Sequence, residues 1–157
     1  MSAGTLSAAL EREHRAIDGG IEAFTSGATT GEYDDASLLR ALSALRRHIY
    51  LEEAFLFPPL RDAGLMMPIM VMEREHGALW DLMDTLTDQH DGGATPAELV
   101  STCTELLTLL DAHNAKEEPI IYPQADTALD AGTTADLQEF IASGTTPEGW
   151  VCARAGA

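Results

Sequence analysis

The sequence HIYLEEAFLFP at residues 48–58 recurs in the second half of the chain as HNAKEEPIIYP at residues 113–123. In both copies a His precedes a pair of Glu residues, and an aromatic residue followed by Pro closes the segment. A shorter repeat lies upstream of each copy, because EREH at residues 11–14 returns unchanged at residues 73–76. Each half of the chain therefore carries one lone His and one His-x-x-x-Glu, which indicates two copies of one structural unit.

Apolar residues around these motifs recur every three or four positions, a spacing that predicts amphipathic helices. The apolar stripes cover residues 6–24, 38–55, 69–90 and 99–121. Turn-forming residues separate the stripes at 27–35, 61–68 and 91–96.

Short connections make successive helices antiparallel. The sequence therefore predicts an all-α protein whose residues 1–130 form an up-down-up-down four-helix bundle. The second helix is expected to fade at Pro58 and Pro59. Residues 131–157 are expected to add a short fifth helix around residues 134–142 and an irregular tail.

Composition excludes several classes of partner. The chain of 157 residues has 9 Lys and Arg against 26 Asp and Glu, a formal net charge of −17. Such a surface repels phosphate backbones and anionic lipids, so neither nucleic acid nor a membrane is expected as a partner. No apolar run is long enough for a membrane span, and residues 1–10 lack the pattern of an export signal. With only two cysteines, in no metal-binding spacing, the expected location is the reducing cytoplasm.

Six polar residues occupy positions of the stripes where Leu would be expected. They are His14, His48, Glu52, His76, His113 and Glu117. Burying an unpaired carboxylate is costly, and no Lys or Arg lies on these stripes to neutralise one. The spacing of four puts the His and Glu of each His-x-x-x-Glu on one helix face. Four imidazoles and two carboxylates inside a bundle favour two carboxylate-bridged iron or manganese ions over isolated core histidines.

These motifs resemble the hemerythrin-like, or HHE cation-binding, domains over roughly residues 6–125. The order His, His-x-x-x-Glu, His, His-x-x-x-Glu carries the resemblance. It implies an antiparallel bundle around a non-haem di-iron centre bridged by an oxygen species. By position, His14 and His48 would bind one iron, His76 and His113 would bind the other, and the two glutamates, Glu52 and Glu117, would bridge them.

Two departures separate the chain from the oxygen-carrying hemerythrins that the motifs resemble. Trp80 stands where those proteins have a further His, and the second pair is His113-x-x-x-Glu117 rather than His-x-x-x-x-Asp. Both irons would then keep an open position, as in the four-His, two-Glu branch linked to iron-centre repair, nitric oxide and peroxide. The favoured function is turnover of peroxide or another small oxidant by a peroxidase- or catalase-like centre, with an unidentified electron donor. Reversible binding or sensing of oxygen or nitric oxide, and iron storage or donation, stay open as alternatives.

Several neighbouring residues have two interpretations. Glu11 and Glu73 each precede a lone His by three, a spacing that ferritin-like di-iron bundles also use, and are expected to be exposed rather than bonded to a ligand His. Tyr122 is expected to pack like its counterpart Phe57 rather than to reach the metals. His90 lies about 21 Å beyond His76 along a helix and is expected at its helix C-terminus, outside the site. Nothing in the sequence near Cys152 would activate its thiol.

Overall fold

Four long helices form a ring. The computed structural model describes residues 4–157, and within that range it contains seven α-helices and one π-helical segment. The long helices are α1 (Leu6–Thr30), α2 (Asp35–Leu51), α4 (Met66–Asp91) and α5 (Pro96–Ile120); the shorter segments are a π-helix (Glu52–Leu56), α3 (Phe57–Asp62), α6 (Tyr122–Thr127) and α7 (Ala131–Ser143). Helix α1 packs against α2 and α5, and α4 packs against α5 and α2, which closes the bundle. The all-α prediction is confirmed.

Side-chain caps fix where the helices begin. The Thr5 hydroxyl accepts a hydrogen bond from the backbone N–H of Ala8 at the start of α1. A full capping box of Thr95 and Glu98 opens α5. Helix α1 runs on to Thr30, beyond the predicted break at residue 27, and Gly31 ends it with a φ of 83°. A positive φ of this size suits glycine because it has no Cβ.

The second predicted helix does not fade at Pro58 and Pro59. The backbone stays helical to Asp62 because the π-helix inserts a wider turn, in which the N–H of Phe57 donates to the carbonyl of Glu52. Both prolines then lie in the first turn of α3, where a missing N–H costs nothing. Single π-helical turns inside α-helices are frequent at functional sites.

The buried apolar side chains form two clusters, one toward each end of the bundle. One cluster contains Ile17 and Phe24 of α1 with residues from α2, α4 and α5. The other contains Leu6 and Leu10 with residues from the π-helix, α3, α6 and α7. His14 lies between Leu10 and Ile17 on α1, and the other predicted ligands lie at the same level of their helices. The polar layer is therefore enclosed by apolar residues at both ends.

The C-terminal segment lies on the bundle. Helix α7 covers the predicted residues 134–142 and extends beyond them at both ends, and residues 144–157 are irregular, as expected. Arg47 of α2 holds this segment by donating to the backbone carbonyls of Phe140, Ile141 and Gly144. The division into units at residues 130 and 131 stays a prediction.

Candidate metal centre

The six predicted ligands meet in the middle of the bundle. They are at most 3% exposed. Their ligand atoms form two groups, and within each group these atoms lie within 4.8 Å of one another. One group is His14, His48, Glu52 and Glu117, and the other is Glu52, His76, His113 and Glu117. The two carboxylates thus belong to both groups, whereas each group has its own pair of imidazoles.

Each shared carboxylate contacts one His from either pair. Glu52 places Oε2 at 3.2 Å from Nε2 of His48 and Oε1 at 3.0 Å from Nε2 of His76. Glu117 places Oε1 at 3.1 Å from Nε2 of His14 and at 3.3 Å from Nε2 of His113. Each glutamate therefore stands between the two halves of the centre, which is the position of a bridging ligand.

Four further carboxylates hold the outer nitrogens of the histidines. Nδ1 of His14, His48, His76 and His113 lies at 2.8, 2.8, 2.8 and 2.9 Å from carboxylate oxygens of Glu118, Glu13, Glu53 and Glu75, respectively. Each bond joins two different elements, so together they tie α1, α2, the π-helix, α4 and α5 into a closed ring. A carboxylate on Nδ1 fixes the ring orientation and turns the lone pair of Nε2 toward a metal.

The helical periodicity of the sequence does not predict these four carboxylates. The two glutamates that the sequence offered as candidates, Glu11 and Glu73, do not contact a ligand His, and Glu73 pairs with Arg61 at 3.4 Å instead. The repeats do point to these carboxylates, because Glu13 and Glu75 are the third residue of the two EREH motifs. The second Glu of each EE pair, at positions 53 and 118, carries the same signal.

Tyr122 corrects a second expectation, since it does not merely pack like Phe57. Its Oη atom lies at 2.6 Å from Glu52 Oε2, 2.9 Å from Glu117 Oε1, 2.7 Å from His14 Nε2 and 2.9 Å from His48 Nε2. Burial and the nearby carboxylates of Glu117 and Glu52 raise the pKa of Tyr122 well above 10.0, so the phenol keeps its proton. The counterpart Phe57 instead stacks on the His76 ring, with ring centroids 5.3 Å apart.

The charges at the centre are strongly coupled. Burial opposes ionisation of Glu117, but His113 and His14 hold the pKa of its carboxyl well below 4.5. Burial also opposes protonation of His48, but Glu52 and Glu13 raise its pKa to about 10. The carboxylates of Glu117 and Glu75 likewise raise the pKa of His113 to about 10, against the opposing effect of burial. Protons on these imidazoles thus neutralise the buried carboxylates, and a metal ion would have to replace them.

Unpaired atoms show that the residues fit a metal. Glu117 Oε2 is buried without a hydrogen-bond partner among the described residues, and Glu52 Oε1 and His76 Nε2, although 3.0 Å apart, form no hydrogen bond. Buried polar atoms normally have partners, so three orphans in one cluster need an explanation. Imidazole nitrogens and carboxylate oxygens together suit a first-row transition metal such as iron or manganese.

A small cavity lies against the four histidines. Its volume is about 10 Å³, enough for one water-sized molecule. Leu79 of α4 forms part of its wall. Trp80, which stands where the oxygen-carrying hemerythrins have a further His, packs against Trp150 with ring centroids 5.5 Å apart and lies under the Arg46 guanidinium.

The remaining candidates lie outside the centre. His90, in the last turn of α4, places Nε2 at 2.9 Å from the Asp35 carboxylate at the start of α2. That carboxylate raises the pKa of His90. Cys152 and Cys103 are both buried free thiols, and burial raises the pKa of each to about 11. A thiol so protonated is a weak nucleophile, in agreement with the expectation for Cys152.

Comparison with known protein families identifies the family of the chain. A model of the Hemerythrin HHE cation binding domain family matches residues 5–125. No curated protein and no solved structure matches the chain. Among the helices of residues 4–157, none combines the length and the apolar character that crossing a bilayer requires. The matched range contains all six clustered residues, and the chain therefore belongs to the hemerythrin HHE cation-binding domain family and is a metal-binding protein.

Proposed function

We propose that the centre holds two iron ions and that the protein decomposes hydrogen peroxide. In this proposal His14 and His48 bind one iron, and His76 and His113 bind the other. Glu52 and Glu117 bridge the pair, and an oxo or hydroxo group completes the bridge. The observation that carries the proposal is the pair of buried ligand groups that share two carboxylates.

The charges of the cluster favour two ions over one. The charge of a single divalent ion could be neutralised by Glu52 and Glu117 alone. The negative charges of the four outer carboxylates would then have no positive charge at the centre to balance them. Each outer carboxylate accepts a hydrogen bond from one ligand His; the four are Glu13, Glu53, Glu75 and Glu118. Hydrogen bonds of this kind make an imidazole a stronger donor to a metal, and every one of the four histidines has one.

The reaction needs no outside reductant. One hydrogen peroxide takes up two electrons and two protons, its O–O bond breaks, and two waters form. A second hydrogen peroxide gives up two electrons and two protons and leaves as dioxygen. When bound, the iron pair would store the two electrons between these halves.

The chain's own groups would position the small molecule and exclude bulk water. The cavity against the histidines admits one water-sized molecule, and apolar side chains such as Leu45 and Leu110 line it. The Tyr122 phenol lies on the opposite side of the histidine layer, within the other apolar cluster. From there its hydroxyl lies at 2.6 Å from Glu52 Oε2 and 2.9 Å from Glu117 Oε1, and it leaves the cavity free for a substrate.

Two measurements on protein purified without added metal test the proposal. Metal analysis should give two irons per chain, with an oxo-to-iron absorption band in the near ultraviolet. An oxygen electrode should record one dioxygen released for every two peroxides consumed. A stable reversible oxygen complex without peroxide turnover would favour carriage or sensing, and rapid loss of iron to a chelator would favour storage or donation.

The cytoplasm is the proposed location. Both cysteines are free thiols, which agrees with a reducing compartment.

A further inference from the structure

Two polar side chains line the cavity beside the four histidines. They are Asp18, one helical turn after His14 on α1, and Asn114, which directly follows His113 on α5. The other non-histidine residues that line the cavity are Ile or Leu. A polar pair in such an apolar wall is costly to the fold unless something in the cavity bonds to it.

Both side chains have an unused acceptor. Asn114 is 8% exposed, and its Oδ1 atom is buried without a hydrogen-bond partner among the described residues. Asp18 is half-buried, and its Oδ1 atom is also buried and unpaired. Asp18 lies outside both metal-ligand groups, so the metal centre does not account for its unpaired oxygen.

We propose that Asp18 and Asn114 form a hydrogen-bond acceptor site that selects hydrogen peroxide over dioxygen and nitric oxide. This inference rests on the proposed function and names the feature that would set its substrate. Hydrogen peroxide has two O–H groups and can donate one to each acceptor. Dioxygen and nitric oxide have no hydrogen to donate, so they would leave both oxygens unpaired, and a site built to bond a donor rejects a guest that lacks it.

The size of the cavity supports this choice. A volume of about 10 Å³ admits a water or a molecule little larger, and it excludes organic peroxides with a bulky substituent. The cavity touches all four histidines, so a guest held by Asp18 and Asn114 would lie next to the metal-binding nitrogens.

Enzyme kinetics on the iron-loaded full chain test the inference. Asn114→Leu keeps the branched shape and the number of heavy atoms of the side chain but removes the acceptor, and Asp18→Leu does the same at the second position. Each should raise the KM for hydrogen peroxide about tenfold while kcat stays within about twofold, because one hydrogen bond to the substrate is lost. Asp18→Asn retains an acceptor oxygen and should restore a KM within about threefold of the native one.

Two controls separate selection from a general disturbance. Asp111→Leu removes an exposed carboxylate whose charge also acts on Asp18 and should leave KM unchanged. The affinity of the reduced protein for nitric oxide should rise in Asn114→Leu and Asp18→Leu, because no acceptor is then left unpaired at that position, and it should stay within about twofold in Asp18→Asn and Asp111→Leu. A KM raised about tenfold in Asp18→Asn as well as in Asp18→Leu would mean that the charge of Asp18, not its acceptor oxygen, matters, and it would overturn the inference.

A crystal structure provides a readout that does not depend on turnover. The native cavity should contain one guest, a water or a peroxide, within hydrogen-bond distance of both Oδ1 atoms, and Asn114→Leu should lose it. An empty native cavity would overturn the inference. A native iron-loaded protein without peroxide turnover would refute the proposed function alone, whereas turnover with an unchanged KM in both Leu variants would refute the acceptor site alone.

Discussion

The two halves of the centre differ by one hydroxyl group, because the same position of the repeat is Tyr122 in one copy and Phe57 in the other. Tyr122 from the second repeat reaches across to His14 and His48, and its repeat counterpart Phe57 stacks on His76. One half therefore has a phenol oxygen among its ligand atoms, while the other half has an aromatic ring and a His76 Nε2 that forms no hydrogen bond. A near-symmetric repeat thus produces two ligand groups that are chemically unequal.

Removing a carboxylate that both ligand groups share should have the largest effect on iron content and stability. Glu117→Ala removes an oxygen donor from both halves and leaves His14 and His113 without their common partner. We expect the iron content to fall from two per chain to one or fewer, with a marked loss of stability, and metal analysis with thermal unfolding would measure both. Glu52→Ala should behave in the same way.

The matched control is His90→Ala, because His90 pairs with Asp35 outside the centre. This variant should keep two irons. If it loses iron while either Glu variant keeps two, the ligand assignment is wrong.

Removing iron should make stability depend on pH. Without metal, His48 and His113 have pKa values of about 10, above the 6.5 of an unfolded chain. Because folding raises these pKa values, protonation of the two imidazoles stabilises the folded state. This stabilisation is complete below pH 6.5 and is lost as the pH rises through 10. Chemical unfolding of the metal-free protein should therefore show a free energy that falls by more than about 3 kcal/mol over this range.

The iron-loaded protein should show a much flatter dependence, because the metal takes the place of the protons. Equal slopes for the two forms between pH 6.5 and 10 would contradict the assignment of these imidazoles to a metal.

The outer carboxylates should have a smaller effect. Glu75→Gln keeps the shape but weakens the hydrogen bond to His113, and Glu13→Gln does so for His48. Each should lower metal affinity about 10- to 100-fold, as competition with a chelator would measure. Glu73→Gln changes a carboxylate on the same helix that pairs with Arg61 instead, and it should leave the affinity unchanged.

Exchanging the aromatic residues should have the smallest effect on iron content and the clearest spectroscopic one. Tyr122→Phe removes the phenol from the His14 half, so the two irons should become nearly equivalent and two Mössbauer doublets should approach one. Phe57→Tyr should instead alter only the iron held by His76 and His113. An unchanged pair of doublets in Tyr122→Phe would mean that the phenol does not distinguish the two halves.

The sequence allowed the helices and the six central residues to be predicted because both follow from helical periodicity. A His or Glu that replaces Leu in an apolar stripe must face the core, whatever the details of packing. The π-helix after Leu51 was not predictable in this way, since it changes the register only locally. Its effect is to carry the second helix past Pro58 and Pro59.

The outer carboxylates could not be placed from periodicity, because they lie beside the stripes and bond across to other helices. Glu118, for example, reaches His14, which lies 104 positions earlier in the chain. Tyr122 was misjudged for a related reason. Its ring is buried as expected, but the position of its hydroxyl depends on how α6 begins after α5, which the repeat alone does not determine.

Anomalous diffraction at the iron absorption edge, on crystals of the iron-loaded protein, tests the central claim most directly. We predict two peaks, one within bonding distance of His14 and His48 and one within bonding distance of His76 and His113, with Glu52 and Glu117 reaching both. A single peak, or a peak away from these six residues, would contradict the account.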